Sequence, residues 1–283
     1  MNDSHESPTL AGPTARRWIL AAAAAILTTA LPATAERLTI PLTDPAKPAQ
    51  LEVSLVQGSI RVTGTANREV TIEATSEEAD SHRGREERGS HKGMQRIPNT
   101  ALGLEAEEKD NHVSVSAESW AREVNLRIEV PAGSSLELST VNGGDIVVEG
   151  VTGELDLHNT NGEIHVKDAR GPVSATTVNG DVSVVFTGGM VAAPMAFSTL
   201  NGDVDVTLPA SLKADVRMKS DNGEIFSDFD IAMNSSPPKV EEERSKGRYR
   251  VVVAREMVGK IGGGGPELFL KTFNGDILLR RRN

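Results

Sequence analysis

A short phrase ending in Asn-Gly recurs six times in this chain of 283 residues. The first five copies follow one another at intervals of 19, 18, 22 and 21 residues, and the sixth lies close to the end of the chain. The six asparagines are Asn142, Asn161, Asn179, Asn201, Asn222 and Asn274. A period of about 20 residues is typical of repeat architectures, in which each copy packs against its neighbours.

The residues around each Asn-Gly alternate between apolar and polar. Apolar pairs stand six and four residues before the Asn, as in Leu136/Leu138, Leu155/Leu157, Val173/Ala175, Val216/Met218 and Leu268/Leu270. A small polar residue stands two before it: Thr140, Asn159, Thr177, Thr199, Ser220 and Thr272. This alternation predicts a strand with one buried face, and its parity places both the small polar residue and the Asn on that face.

An acid follows the glycine of every copy, and apolar residues then alternate again. The acids are Asp145, Glu163, Asp181, Asp203, Glu224 and Asp276. Each copy therefore predicts strand, Asn-Gly turn, strand, with Gly supplying the backbone freedom of the turn. The first copy has one extra residue, Gly144, which predicts a wider turn. Residues 57–62 resemble a degenerate copy with Ile60 and Val62 facing inward.

Two all-β architectures fit this pattern. Asn-Gly between strands is a strong hairpin signal, which would give an antiparallel β-sandwich. We favour a single β-solenoid, similar to a β-helix, of about 20-residue coils, because direct copies of near-constant length would stack like on like at about 4.8 Å. The solenoid would span residues 36–283, with charged or Pro-rich loops at 76–99 and 234–246.

The six asparagines are predicted to be structural turn residues. Our hypothesis is an inward-facing ladder in which each amide bonds the amide one coil away, as in stacked β structures. The alternative is that Asn only tolerates the backbone conformation of the turn.

Residues 1–35 are predicted to be an export signal. Arg16 and Arg17 precede an apolar run, Trp18 to Leu31, that is too short for a permanent membrane span, and Ala33 and Ala35 form a small-residue cleavage site. Sec and twin-arginine export both remain open, as does an uncleaved anchor. After cleavage we expect no integral membrane span and a location in the periplasm or at the cell surface.

Composition narrows the function classes. The chain has no cysteine, which excludes disulfides and thiol chemistry. Aromatic residues make up 3% of the chain, and the net charge is −10. Trp120 and Tyr249 are the Trp and Tyr beyond the signal segment. The low aromatic content and the negative net charge both argue against nucleic-acid binding. The partner we expect is an envelope protein or a glycan.

The column of acids is the feature that could carry chemistry. One corner would be lined by Asp145, Glu163, Asp181, Asp203 and Glu224. Carboxylates at this spacing repel one another. A Ca²⁺ ion, which binds several carboxylate oxygens, would relieve that repulsion. The favoured alternative is that these acids point into water or accept N–H bonds of the turns. Because an acid recurs in every coil, the pattern indicates a structural position, whereas a catalytic pair would be unique.

We therefore expect no catalytic residue, no cofactor and no dedicated metal site. His158 and His165 beside the second turn are predicted to be solvated, as are His82 and His91 in the first loop. Arg280–Arg282 at the end of the last coil would discourage edge-to-edge pairing of an open strand.

The sequence also resembles a known family. The resemblance rests on Val130-Pro131 followed by the first repeat, on the recurring Asn-Gly-acid-Ile/Val phrases, on residues 201–209, and on the Gly-rich segment 262–265 that leads into the last copy. These resemble the bacterial β-strand-repeat domain of unknown function labelled "putative adhesin". The resemblance implies a β-solenoid in the cell envelope and carries over no catalytic residue.

The expected function is that of an exported, non-enzymatic β-repeat protein, an adhesin or envelope scaffold that offers a binding surface. Two alternatives remain, a polysaccharide-processing enzyme built on a β-helix and a regulatory component of the envelope stress response.

Cleavage of the export signal is directly testable. When the full chain is expressed in a Gram-negative host, N-terminal sequencing of the exported form should begin at Glu36. An exported chain that still carries residues 1–35 would contradict this prediction and favour the uncleaved anchor.

Overall fold

The computed structural model describes residues 35–77, 103–117, 123–188, 192–234, 240–245, 248–253 and 256–282, with 240–245 and 248–253 as backbone. All of these residues belong to one compact unit, residues 33–283. The described ranges contain strands, turns and bends and no helix, hence none that could cross a membrane. The predicted signal peptide lies outside these ranges except for Ala35.

The described residues form strands throughout. In chain order they are β1 (Ala35–Pro41), β2 (Gln50–Gln57), β3 (Ile60–Thr65), β4 (Glu69–Glu77), β5 (Leu104–Lys109), β6 (His112–Ala117), β7 (Glu123–Pro131), β8 (Ser135–Asn142), β9 (Ile146–Glu149), β10 (Leu155–Asn159), β11 (Ile164–Ala169), β12 (Val173–Thr176), β13 (Val182–Phe186), β14 (Met195–Ser198), β15 (Val204–Pro209), β16 (Ala214–Asn222), β17 (Ile225–Ser227), β18 (Ala232–Met233), β19 (Val240–Ser245), β20 (Arg248–Val253), β21 (Met257–Ile261), β22 (Glu267–Asn274) and β23 (Ile277–Arg282).

Two large sheets contain all of these strands except the hairpin of β19 and β20. The first sheet has the order β1-β4-β7-β3-β9-β11-β13-β15-β23-β17, and the second has the order β18-β21-β16-β22-β14-β12-β10-β8-β2-β6-β5. Pairing is parallel through the centre of both sheets and antiparallel where β1, β4, β5, β18 and β21 join at the ends. The all-β class predicted from the sequence is confirmed.

Each Asn-Gly turn carries the chain from the second sheet to the first. The two strands that flank a turn, such as β12 and β13, therefore do not pair with each other. Their neighbours come from other copies of the repeat, so the pairing is parallel. The antiparallel sandwich that the hairpin signal left open is wrong for this reason.

We define a rung as one strand of the second sheet together with the strand of the first sheet that follows it. Eight rungs stack in the order β6–β7, β2–β3, β8–β9, β10–β11, β12–β13, β14–β15, β22–β23 and β16–β17. The register places equivalent residues above one another, for example Leu136 beside Leu155 and Leu155 beside Val173. The degenerate copy at residues 57–62 is a true rung, and its Ile60 and Val62 are fully buried.

The stacking order differs from the chain order at both ends. The last copy, β22–β23, inserts between β14–β15 and β16–β17, and the first copy, β2–β3, lies inside β6–β7. The final strand β23 is thus paired on both sides over Ile277–Leu279, and β17 forms the edge of the first sheet there. Among the described residues no strand pairs with Arg280–Arg282 on the β17 side, so their protection of an open edge stays a prediction. Arg280 also forms an ion pair with Asp205 of the adjacent β15 through its Nε at 2.8 Å.

The core lies between the two sheets. Alternate residues of each strand point inward and form a single apolar cluster of Val, Leu, Ile, Ala, Met and Phe side chains. Phe186 of the first sheet meets Phe197 of the second edge to face, with ring centroids 6.4 Å apart. Such an aromatic pair adds about 1 kcal/mol beyond the area it buries, and it ties the sheets together across the core.

Two boundaries of the predicted loops need correction. Ser76 belongs to strand β4, and residues 240–245 of the second predicted loop form β19, which pairs antiparallel with β20. The run of charged residues in β19 concealed a hairpin, because its register sets Glu243 opposite Arg250 and Val240 opposite Val253. Residues 78–99 and 235–239 of the predicted loops lie outside the described residues.

Close approach of neighbouring rungs explains why glycine stands at each turn. A Cβ added to Gly180 would lie 2.3 Å from the carbonyl oxygen of Gly162 on the next rung, and the φ of Gly180 is +145°. Only glycine therefore satisfies both the conformation and the contact. The extra residue of the first copy widens its turn as predicted, with Gly143 at a φ of +75°.

We predict that Gly180→Ala lowers the free energy of unfolding by about 3 kcal/mol or more, because the methyl group would force two backbones apart at a strained φ. Gly188→Ala is the matched control, since an added Cβ there meets nothing within 4 Å. Urea unfolding of both variants gives the comparison, and equal losses would contradict the account.

Candidate functional site

The corner formed by the Asn-Gly turns is the most regular surface of the described structure, and the small polar residues, asparagines and acids singled out in the sequence lie on it. Four columns of side chains run along this corner, and each contributing rung supplies one residue to a column. They are the buried small polar residues, the asparagines, the acids and an exposed apolar position.

The small polar residues form a buried column. Each donates a hydrogen bond to the carbonyl oxygen of the turn glycine on the neighbouring rung, at 2.8–3.0 Å. The pairs are Thr140 to Gly58, Asn159 to Gly144, Thr177 to Gly162, Thr199 to Gly180, Thr272 to Gly202 and Ser220 to Gly275. Their inward orientation is as the alternation predicts, whereas their acceptors could not be read from the sequence.

Asn159 is the exception within this column. It is 5% exposed and uses its Nδ2 as the other members use a hydroxyl. Its Oδ1 is buried, and no described residue donates to it. A buried acceptor without a donor costs stability, so the second copy holds its corner less favourably than the copies with threonine.

The asparagines form a continuous ladder outside the corner. Each amide Nδ2 donates to the Oδ1 of the preceding Asn in the stack at 2.7–3.0 Å. The bonds run from Asn222 to Asn274, Asn274 to Asn201, Asn201 to Asn179, Asn179 to Asn161 and Asn161 to Asn142. The ladder therefore has a direction, with a donor end at Asn222 and an acceptor end at Asn142.

The ladder is exposed, and the inward orientation expected for the asparagines is wrong. All six are solvent-exposed. The chain leaves the strand at this residue to round the corner, so the two-residue alternation that buries Thr177 does not extend to Asn179. The direct amide contacts are present, but their setting is wet and their individual contribution is correspondingly small.

The acids form a third column, in the rung order Asp145, Glu163, Asp181, Asp203, Asp276 and Glu224. Four of them accept the backbone N–H of the acid on the next rung through Oδ1 at 2.7–2.8 Å. The bonds are Glu163 N–H to Asp145, Asp203 N–H to Asp181, Asp276 N–H to Asp203 and Glu224 N–H to Asp276. One of the two carboxylate oxygens of each of these four aspartates thus accepts a structural hydrogen bond.

This geometry agrees with the favoured interpretation of the acid column. The described residues contain no cluster of three or more His, Asp or Glu side chains placed to hold a metal ion. Calcium binding by Asp145, Glu163, Asp181, Asp203 and Glu224 stays a hypothesis, which a rise in melting temperature at millimolar Ca²⁺ would support.

The histidines of the second copy each pair with the acid two residues earlier in the chain. His158 Nε2 lies 3.1 Å from Asp156 Oδ1, and His165 Nε2 lies 2.7 Å from Glu163 Oε2. These exposed pairs contribute little to stability. His82, His91 and Trp120 lie outside the described residues.

A shallow groove of about 260 Å³ crosses the outer face of the second sheet at the β6 end. Its acids include Glu52, Glu137 and Asp156, with His112 beside Glu52 at 3.3 Å. The register sets Glu52 beside Glu137 and Glu137 beside Asp156. These carboxylates therefore occupy one repeated position on successive rungs, as the corner acids do.

A second cluster, missed by the sequence analysis, ties the chain entering β2 to the turn of the β5–β6 hairpin. Asn111 is 7% exposed at a φ of 66°, and its amide exchanges two 2.7 Å bonds with the backbone of Asp44. Glu108 accepts the N–H of Thr43 at 3.0 Å, which lowers the pKa of Glu108. The hydrogen bond from Lys47 likewise lowers the pKa of Asp44. These hydrogen bonds hold the segment before β2 against the β5–β6 turn, which gives the cluster a structural role.

The residue directly before each corner Asn, and before the equivalent Gln57 of the first copy, is apolar and exposed on most rungs. Val56, Val141, Val178, Leu200 and Phe273 take this position on five rungs, and each is 37–45% exposed. Thr160 and Asp221 take it on two further rungs. We call these five apolar residues the corner stripe. In the stack, Thr160 separates Val56 and Val141 from Val178, Leu200 and Phe273, so the corner stripe consists of two apolar runs. Exposed apolar patches mark interaction sites in soluble proteins.

Residues 121–256 match the family model described as Toastrack DUF4097, a domain of unknown function. The family resemblance inferred from the sequence is thereby confirmed. No curated protein matches the chain significantly.

Two solved structures are similar to the chain at 12% sequence identity. One is described as a "putative cell adhesion protein" from Clostridium sporogenes, with a TM-score of 0.48 over 88% of this chain and 100% of that chain. The other is described as a "putative adhesin" from Bacteroides fragilis, with a TM-score of 0.40 over 86% of this chain and 96% of that chain.

We predict that Thr177→Val lowers the free energy of unfolding by about 1–2 kcal/mol, because the Gly162 carbonyl loses its donor inside the corner. Thr176→Val makes the same chemical change one residue away, where the hydroxyl faces outward and contacts Ser198 Oγ at 3.1 Å. It should cost less than about 0.5 kcal/mol. Urea unfolding that shows equal losses would contradict the role of the buried column.

The opposite change should stabilise the second copy. Asn159→Thr removes the unpaired Oδ1 and restores the hydroxyl donor toward Gly144, so the urea midpoint should rise. A lower midpoint would show that Asn159 is better accommodated than its contacts indicate.

Proposed function

We propose, on the premise that residues 121–256 belong to the Toastrack DUF4097 family, that this chain is an exported, non-enzymatic protein of the cell envelope that binds another envelope protein along its corner stripe. We further propose that the eight rungs make up a single β-solenoid, capped at both ends by antiparallel strands. The repeated register of the parallel strands supports this architecture.

The corner stripe is the observation that carries the proposed function. Side chains at the same position of five rungs stay exposed although they are Val, Leu or Phe. Members on adjacent rungs lie about 4.8 Å apart, and Thr160 occupies the rung between Val141 and Val178. Folding does not require apolar side chains at an outward position, where polar residues are the norm. An exposed row of apolar side chains therefore favours binding to another protein. A rigid row of aliphatic side chains fits the apolar side chains of an extended protein segment.

A protein partner is favoured over a glycan by the chemistry of the stripe. Phe273 is its one aromatic member, and the other four are aliphatic. The neighbouring asparagine amides already bond one another, which leaves them fewer free groups for sugar hydroxyls. Binding of a glycan is the alternative outcome of the experiment below.

Export is supported by the sequence of residues 1–35, which has the charged, apolar and small-residue segments of a cleavable signal. The periplasm and the cell surface are both compatible with the proposal. A regulatory role in envelope stress would use the same binding surface, with the partner then being a signalling protein.

The polysaccharide-processing enzyme remains the second candidate. A glycosidase needs two carboxylates of different environment that act on one bond. The carboxylates of the groove and of the corner instead recur at equivalent positions on successive rungs, which supports a structural role. Turnover of a cell-wall or capsular polysaccharide by the purified protein would overturn the non-enzymatic proposal.

Site-specific photocrosslinking in the native host tests the proposed surface. We expect a photoreactive phenylalanine analogue at position 200 to give a discrete crosslinked protein that Phe273→Ser, one rung away, weakens. The matched control carries the analogue at Phe226, which is 49% exposed at the edge of the first sheet and away from the stripe.

Equal crosslinking at 200 and 226, or crosslinking that Phe273→Ser leaves unchanged, would contradict a partner bound on the stripe. A glycan array that retains the wild type and not the Phe273→Ser variant would assign the stripe to a glycan instead.

A further inference from the structure

Asn-Gly pairs are prone to deamidation, and the fold restrains the six pairs of this chain to different degrees. In an Asn-Gly pair the backbone nitrogen of Gly can bond to the side-chain Cγ of Asn. The Cγ–Nδ2 bond then breaks, ammonia leaves, and a cyclic succinimide forms. Water adds to either ring carbonyl and opens the ring to aspartate or isoaspartate. Glycine favours the step because it has no side chain to hinder the attack.

Four of the six pairs are held by the stack in two ways. Their glycine N–H groups donate to the backbone carbonyl of the Asn on the next rung, at 2.9 Å for Gly162, Gly180 and Gly202 and at 3.3 Å for Gly275. Their asparagine amides each make two ladder bonds, one as donor and one as acceptor. The attacking nitrogen and the reacting side chain are both engaged.

The pairs at the two ends of the ladder lack this double restraint. No described residue accepts a hydrogen bond from the N–H of Gly143 or of Gly223, and both glycines are exposed. Asn142 makes one ladder bond, as acceptor from Asn161, and Asn222 makes one, as donor to Asn274. Within the described ranges, the N–H of Gly143 lacks an acceptor because Gly144 widens its turn, and the N–H of Gly223 lacks one because Gly223 lies on the terminal rung.

We propose that Asn142 and Asn222 are sites of spontaneous deamidation and isoaspartate formation in the folded protein, and that the stack protects the other four Asn-Gly pairs. Reaction at an inner pair must first break a backbone bond and one more ladder bond than reaction at an end. Bonds of this kind together slow the inner sites by roughly tenfold or more.

The direction of the ladder makes the two products unequal. An aspartate at 142 still accepts the Nδ2–H of Asn161, now with a charged acceptor. An aspartate at 222 loses its donor and faces the Oδ1 of Asn274 with a second oxygen. Deamidation is therefore tolerated at the acceptor end of the ladder and loosens the terminal rung at the donor end.

Peptide mapping of the folded full chain after incubation in mildly alkaline buffer tests the proposal. We expect the peptides with Asn142 and Asn222 to gain the mass difference between an amide and a carboxyl group, with isoaspartate forms separated by chromatography. The peptides with Asn161, Asn179, Asn201 and Asn274 should change more slowly by roughly tenfold or more. Similar rates at all six sites, or faster reaction at an inner site, would overturn the proposal.

The same incubation in urea is the control for local sequence. All six pairs should then react at similar rates, because the protection comes from the stack. If the two end sites still dominate in the unfolded chain, the selectivity lies in the neighbouring residues and the proposal fails. The double variant Asn142→Gln, Asn222→Gln should lose the fast phase of reaction in the folded protein.

Melting temperatures of two mimics test the unequal products. Asn222→Asp should lower the melting temperature by about 2–4 °C, whereas Asn142→Asp should leave it within about 1 °C. Equal losses at both ends would contradict the directed ladder.

Discussion

The contact between turn glycines of neighbouring rungs is the constraint on which the rest of the structure depends. At each corner the carbonyl oxygen of one glycine lies where the next glycine would carry its Cβ, for example Gly162 against Gly180. The same oxygen accepts the buried hydroxyl of Thr177. One backbone atom thus sets both the spacing of the rungs and the orientation of an inward polar side chain. A larger residue at the corner or a missing hydroxyl disturbs both at once.

The other columns of the corner follow from this spacing. Because equivalent residues sit one strand separation apart, Asn179 can bond the amides of Asn161 and Asn201, and Asp181 can accept the N–H of Asp203. The same repetition exposes the apolar residue before each Asn and builds the corner stripe. Structural bonding inside the corner and a potential binding surface outside it are therefore consequences of one register.

Features that depend on the local alternation of apolar and polar residues could be predicted from the sequence. The order in which the equivalent copies stack could not. The buried strands, the inward Thr177 and the asparagine ladder could be anticipated from the 20-residue period. The exposure of Asn179 could not, because alternation stops where the chain turns. The insertion of β22–β23 between two rungs that come earlier in the chain could not be predicted either, because every copy offers a similar strand edge for pairing. The ion pair of Arg280 with Asp205 on the neighbouring rung could not be foreseen for the same reason, and it raises the pKa of the Arg280 guanidinium.

Hydrogen exchange at the corner glycines tests the central claim most directly. If glycine contacts and buried hydroxyls lock the rungs, the amide of Gly180 should exchange as slowly as that of a core strand residue such as Val184, and Thr177→Val should speed its exchange. Exposed Gly188 provides the fast reference in the same spectrum. Exchange of Gly180 at the rate of Gly188, or exchange unaffected by Thr177→Val, would show that the corner does not hold the stack together.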